Sequence, residues 1–560
     1  MEPLLSNGVT RKEKKDAVSR LHYIFHGLRN QQTERSFKMR RPKLLLIKII
    51  VCLILLPLPF IVTDVKSAST PSGELRIGVP TLHSETFHPF WGRNIQKFYY
   101  EPIYDYLVGL DENMNLTEGI AYKWEEAPDH MSWTFWIRDG VKFHDGAPLS
   151  IEDIKFSLDT MLDKKNISVR SLHEPHQDRV EIIPPNKVKV HLMKPWPVMP
   201  YFLCPSGQGG GTMLPQKYIM EKGDKFETYP IGTGPYKFLE KKENDYIKYV
   251  AQDYHWRLGR PKYRYLTFKK IPEEGTRVAA LKAGEVDVVM IGRARAKELE
   301  AEGFPIVRKP EAADLNLDFL HTYRPENPLS KKNVRQALVY AIDKPAILKH
   351  ILMGEGKPIG HSYSLYSTSI DYKPYPVTPY DPKKAKQLLA EAGYPNGFTI
   401  YYYSYVTLVP EQKLVAEAIA SYWEAIGMKV KILEMEPAAF FEIWTKKKEP
   451  PGPAAFVHSW ATRPKDPWRP LTHSDVKKFY FSHVADPEMD RLIDEHDNQV
   501  TLKGLVEASH KCMDRVLEMF YRSGIATVDI PFATRKDVPK WSSGRGNTDS
   551  YRFEYVGATK

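Results

Sequence analysis

The chain has 560 residues, more than one ordinary core holds, so two or more lobes are expected. Its 42% apolar and 12% aromatic content is ample for packed cores and excludes a disordered polymer. The formal net charge of +11 sits mostly at one end: eleven Lys/Arg against four Asp/Glu give residues 1–43 a net +7, leaving +4 for residues 44–560. The body needs no basic face, so no nucleic acid is expected as a partner.

The basic stretch runs into LLLIKIIVCLILLPLPFIV, residues 44–62, in which Lys48 leaves Ile49–Val62 as 14 apolar residues. That length suits the core of a secretory signal better than a spanning helix of about 20 residues. Met39-Arg-Arg-Pro-Lys43 reads as the basic region before it, and Ser67, Ala68 and Ser69 supply cleavage candidates. Residues 1–69 are therefore a leader, either a signal peptide, with Met1 or Met39 as the start, or an uncleaved membrane anchor at 44–62. Both readings place the body outside the cytoplasm. Beyond the leader only Cys204 and Cys512 remain, too few to staple a fold of this size.

After Pro71-Ser-Gly73, ELRIGVP predicts a first strand. WTFWIRDGVKFHDGAPLSIEDIKFSLDTML predicts strand, turn, strand, turn, helix, with Asp-Gly turns at 139–140 and 145–146. Ser150 is the expected helix cap, with Asp153 three residues on. TRVAALKAGEVDVVM (276–290) predicts a helix stopped at Gly284 and a strand. YDPKKAKQLLAEAGYPNGFTIYYYSYV repeats the pattern, with Asp381 as cap, Pro382 at the first helical position and Gly393 as stop. PEQKLVAEAIASYWEAIGMKVKILEM repeats it again, stopping at Gly427. This alternation predicts an α/β architecture with largely parallel sheets.

No nucleophile turn, zinc-protease helix, Walker loop or dinucleotide-binding glycine pattern is present, so no catalytic residue is assigned and no cofactor is expected. GQGGG at 207–211 lies between Pro205 and Pro215 with no strand before it, and reads as a loop. His144 and Asp145 in KFHDG are adjacent, so on extended backbone they face opposite ways and read as a turn, not an acid–base pair. The 18 histidines are scattered, and no metal site is expected.

Taken in order, WTFWIRDGVKFHDGAPLSIEDIKFSL (133–158), PIGTGPYKF (230–238), NPLSKKNVRQALVYAIDKPAI (327–347) and YDPKKAKQLLAEAGYPNGF (380–398) resemble the family 5 extracellular solute-binding proteins. These are the peptide- and nickel-type receptors of ATP-driven (ABC) importers. The resemblance runs from about residue 73 to the C-terminus. It implies a two-lobed periplasmic-binding-protein fold (type II, cluster C) with an extra inserted subdomain. Lobe I would be discontinuous, from residues 70–113, 228–318 and 525–560; the subdomain would be 114–227 and lobe II 319–524. It also implies a monomer that takes a small solute or oligopeptide between its lobes and delivers it to ABC permease subunits in the cytoplasmic membrane. The alternative is a membrane-tethered sensory or chaperone-like binding protein.

In peptide-binding members an extended ligand pairs with strand-like segments, which here correspond to LHSETFHP (82–89) and SWATRPKDPW (459–468). The implied ligand-binding residues are His83, Ser84 and Glu85 from the first and Trp460, Ala461, Thr462, Arg463 and Asp466 from the second. Tyr403 and Tyr405, on one face of TIYYYSYVT, are candidates for the cleft wall. One position breaks the family pattern. Peptide receptors show W-x-x-D, whose carboxylate pairs with the ligand's ammonium, and the equivalent position here is Arg463. The arginine that dipeptide receptors carry before the next helix corresponds to Val406. Both departures point to a ligand with a carboxylate, phosphate or sulfate toward Arg463, such as a sugar conjugate or modified peptide.

Overall fold

The structure, a computed structural model, describes residues 70–82, 85–90, 97–161, 176–205, 210–360, 373–405, 409–446, 448, 450–461, 483–545 and 551–558, which belong to one compact unit. The leader, including 44–62, lies outside them. Among the described residues no helix is long and apolar enough to cross a membrane.

Local chemistry sets most elements. Strand β1 (Glu74–Val79) follows Gly73, whose φ is +69°. Next come the short pair β2 (Val108–Leu110) and β3 (Leu116–Glu118) and the four-stranded sheet of β4 (Ala121–Glu126), β5 (Ser132–Ile137), β6 (Gln177–Ile183) and β7 (Lys187–Leu192), in the order β4-β5-β7-β6. The helix Ile151–Met161 opens on a reciprocal cap: Asp153 N donates to Ser150 Oγ (3.1 Å) and Ser150 N to Asp153 Oδ2 (2.9 Å). Asp381 caps Pro382–Glu391, and Gly284, Gly393 and Gly427 take positive φ where helices were expected to stop.

The predicted strand at 141–143 is absent. Between its two Asp-Gly turns the segment closes on itself, with Phe143 N on Ala147 O and Leu149 N on Val141 O, leaving only an isolated bridge between Lys142 and Pro148. Four residues between two turns give too short a ladder.

The remaining strands build an eleven-stranded sheet with β1: β8 (Tyr236–Lys242), β9 (Tyr246–Ala251), β10 (Tyr265–Lys270), β11 (Val288–Met290), β12 (Ile306–Leu320), β13 (Lys357–Pro358), β14 (Thr399–Tyr405), β15 (Lys429–Met435), β16 (Ala454–Ala461) and β17 (Arg522–Thr534). The order is β15-β14-β16-β12-β17-β11-β1-β10-β9-β8, with β13 beside β17. The expectation of largely parallel sheets needs correction, because this sheet is mixed. Two triplets are parallel, β10-β1-β11 and β15-β14-β16, and each contains helix-linked strands. Between them β12 and β17 pair antiparallel, and β8, β9 and β10 are joined as hairpins.

Four buried apolar clusters divide along this sheet. Two gather residues of β1, β8–β11, the small four-stranded sheet and the C-terminal segment. The other two flank β14 and β16, one under the helices Lys332–Tyr340, Pro382–Glu391 and Gln412–Ala425, the other under Pro437–Lys446, Pro487–Asp497 and Leu502–Glu518. These are the cores of two lobes, with β12 and β17 running through both. Cys204 and Cys512 are buried and are not joined in a disulfide.

Candidate ligand cleft

In open α/β sheets the carboxyl ends of parallel strands frame a ligand crevice. In one lobe those ends are Val79, Lys270 and Met290, and in the other Tyr405, Met435 and Ala461. A side chain just beyond each edge brings the two lobes together. Glu411, which precedes the helix Gln412–Ala425, accepts from the backbone N–H of Arg293 at 2.8 Å and from the Arg293 guanidinium.

The floor between these edges lies on one face of β12. Ala312 belongs to the first lobe's core and Leu320 to the second lobe's, and the alternate positions between them are Asp314, Asn316 and Asp318. Polar neighbours from adjacent strands share that face. Thr527 Oγ1 donates to Asp314 Oδ1 (2.5 Å), Asn316 Nδ2 to the Asp314 carbonyl (3.1 Å), and Arg522 pairs with Asp318. His458 Nδ1 lies 3.0 Å from Asp318 Oδ2. Burial pulls the His458 pKa below its usual value although Asp318 opposes it, so the ring is neutral near pH 7. None of these six side chains is more than 5% exposed. Apolar residues of similar size would pack there without desolvation cost, and a buried ion pair is weak evidence for stability. The row is better explained by recognition than by folding.

The structure places the sequence candidates unequally. Trp460 and Ala461 end β16 directly opposite Asp314 and Ala313, at the rim of the polar floor. Tyr403 pairs in register with Phe456, and Tyr405 stacks on Phe440 with ring centroids 4.3 Å apart. Both tyrosines belong to the buried cluster around Phe440 and Trp444, and burial raises both hydroxyl pKa values. Tyr402 points the other way, to Trp423, as the alternation predicts. Glu85 is 6% exposed at φ +50°, and its carboxylate serves its own lobe, accepting from Asn244 N (2.8 Å) and Lys241 Nζ (3.4 Å). His83, Ser84, Thr462, Arg463 and Asp466 lie outside the described residues, as does Val406. His144 uses both ring nitrogens structurally: Nδ1 accepts from Gly232 N and Nε2 meets Gly234 O. Among the described residues no group of three or more His, Cys, Asp or Glu is placed to hold a metal.

Sequence reasoning missed the polar row and the Arg293–Glu411 contact. The row has a signal, since DLNLDFL (314–320) alternates polar and apolar residues inside a strand buried on both faces.

This two-lobed α/β body with a cleft between strand ends is the architecture of an extracytoplasmic binding protein. Residues 115–478 match the model of the bacterial extracellular solute-binding proteins, family 5 (middle region), and the chain belongs to that family. It is 31% identical over 340 residues to the glutathione-binding protein GsiB of Pectobacterium atrosepticum, a match covering 60% of this chain and 63% of that protein's length. It is 30% identical over 431 residues to heme-binding protein A of Haemophilus influenzae, covering 70% of this chain and 76% of the relative. The crystal structure of NikZ from Campylobacter jejuni with Ni(L-His) superposes with a TM-score of 0.72 at 26% identity, covering 86% of this chain and 98% of that one.

Proposed function

We propose that this chain is the solute-capturing receptor of an ABC importer, working as a monomer outside the cytoplasmic membrane and handing its ligand to a membrane permease. The observation that carries the reading is the polar interval on β12, where two apolar cores stop on either side of Asp314, Asn316 and Asp318. A solute seated there meets carboxylate, amide, imidazole and guanidinium groups. Lobes joined by two strands close stably only when one ligand touches both.

Similar proteins carry names for glutathione, heme and a nickel–histidine complex, so the fold does not choose the ligand. The polar floor supports a small, charged, hydrogen-bonding solute such as a short peptide or an amino-acid or sugar conjugate, over a flat apolar macrocycle. Arg463, beyond Trp460, adds a site for a carboxylate or phosphate on that solute. A leader at 1–69 fits this place of work, whether it is cleaved or kept as an anchor. A thermal-shift screen of di- and tripeptides, glutathione, opine-type conjugates and heme tests it. A polar solute at 100 times its Kd is expected to add about 2.7 kcal/mol. A response to heme alone would overturn the ligand class.

A further inference from the structure

Arg293 opens the helix Arg293–Ala301, whose Ala296 and Leu299 pack with Val278, Leu281 and Ala533 in the first lobe. Glu411 precedes a helix whose Val415, Ile419 and Trp423 pack in the second. Arg293 is 0% exposed and Glu411 7%, so both side chains are buried where they meet. The carboxylate meets both the guanidinium and the N-terminal N–H of the arginine's own helix, where the helix dipole also favours negative charge. A further Arg293 nitrogen donates to the Asp529 carbonyl on β17, which ties the arginine to the strand that crosses between lobes.

The seam around this pair is complementary in charge. Arg308, on the first-lobe stretch of β12, donates to Glu355 Oε1 at 3.0 and 3.2 Å, and Glu355 Oε2 lies 4.0 Å from Arg293 Nε. Lys297 Nζ donates to the Met353 carbonyl at 2.9 Å. In these three contacts the first lobe contributes the cation and the second the acceptor, while Lys357 and Glu311 pair across with the opposite polarity at 3.6 Å.

We propose that Arg293 and Glu411 form a closure clasp, made when the lobes meet and broken when they part, which sets the closed fraction of the receptor before solute arrives. The clasp rests on the receptor reading only in that closure is what capture requires. Rotation about β12 and β17 separates the two side chains and lets water reach both. With Glu411 neutral, the buried Arg293 charge keeps only the longer 4.0 Å approach of Glu355 in the closed form and is hydrated in the open form, so the equilibrium moves toward open. Apparent affinity falls by the same factor as the closed fraction.

The test needs no solute. Spin labels at Glu243→Cys, in the turn between β8 and β9, and at Lys386→Cys, on the helix Pro382–Glu391, occupy exposed sites in different lobes. The native Cys204 and Cys512 are buried and do not compete for label, and the third cysteine, Cys52 of the leader, is replaced by Ser. In the ligand-free full chain, Glu411→Gln is expected to move the interlobe distance distribution to longer values, with the short-distance population reduced about ten-fold. Where the Gln variant does not fold, Glu411→Asp, which keeps the charge and shortens its reach, is expected to shift the distribution the same way. A folded variant that keeps the parent distribution overturns the clasp and leaves the receptor reading intact. Failure of that reading would show instead as the absence of any bound solute in a protein whose clasp is unaltered.

Discussion

The two faces of β12 are equally buried and chemically opposite. Ala313, Leu315, Leu317 and Phe319 point into an apolar core with Val457, Ile525 and Val528. Asp314, Asn316 and Asp318 point the other way, to Thr527, Arg522 and His458. Burial therefore does not separate structural from functional positions here; the kind of group buried does. One face lowers the free energy of folding by removing apolar area from water. The other spends desolvation cost on groups that, in the proposed reading, a solute contacts once the lobes part.

Breaking each face separately sharpens the contrast. Asp318→Ala removes the carboxylate beside Arg522 and is expected to lower stability by about 3–5 kcal/mol in urea unfolding. Replacing Asp318 and Arg522 together by Leu and Met is expected to restore most of that loss while solute binding stays abolished. Leu317→Ala, one residue away on the apolar face, opens a cavity and should lower stability by about 3 kcal/mol. Its folded fraction should bind solute with parent affinity. If both faces affected binding alike, the division would be wrong.

A buried polar group away from the floor should act on stability alone. Burial holds the His144 pKa at about 4, against 6.5 in the unfolded chain. As pH falls below 6.5 the unfolded state takes up the proton first, so stability drops between about pH 6.5 and 4, by roughly 3 kcal/mol in total, and levels off below. Unfolding curves at pH 7 and 5 should show this slope reduced in His144→Gln, with solute affinity at pH 7 unchanged. An unaltered slope would mean that other groups titrate.

Much of the scaffold was legible. Caps at Ser150 and Asp381 and stops at Gly284, Gly393 and Gly427 act through neighbours a few residues away, which a local pattern contains. The antiparallel β12–β17 pairing joins residues more than 200 apart, and the Arg293–Glu411 contact spans 118, so no periodicity announces either. The failed strand at 141–143 shows the reverse case, where the right residue types lacked length. The Asp-Asn-Asp alternation was visible in the sequence. Its meaning was not, because it depends on two cores ending at Ala312 and Leu320 on the same face.

The most direct test of the floor is the mildest change to it. Asp314→Asn keeps an oxygen to accept the Thr527 hydroxyl, so unfolding free energy should shift by less than about 1 kcal/mol. Calorimetric titration with the best solute from the screen should nevertheless show affinity lowered about ten-fold or more, equivalent to about 1.4 kcal/mol. Parent affinity in a folded Asp314→Asn protein would contradict the claim that this row of β12 is where the solute is held.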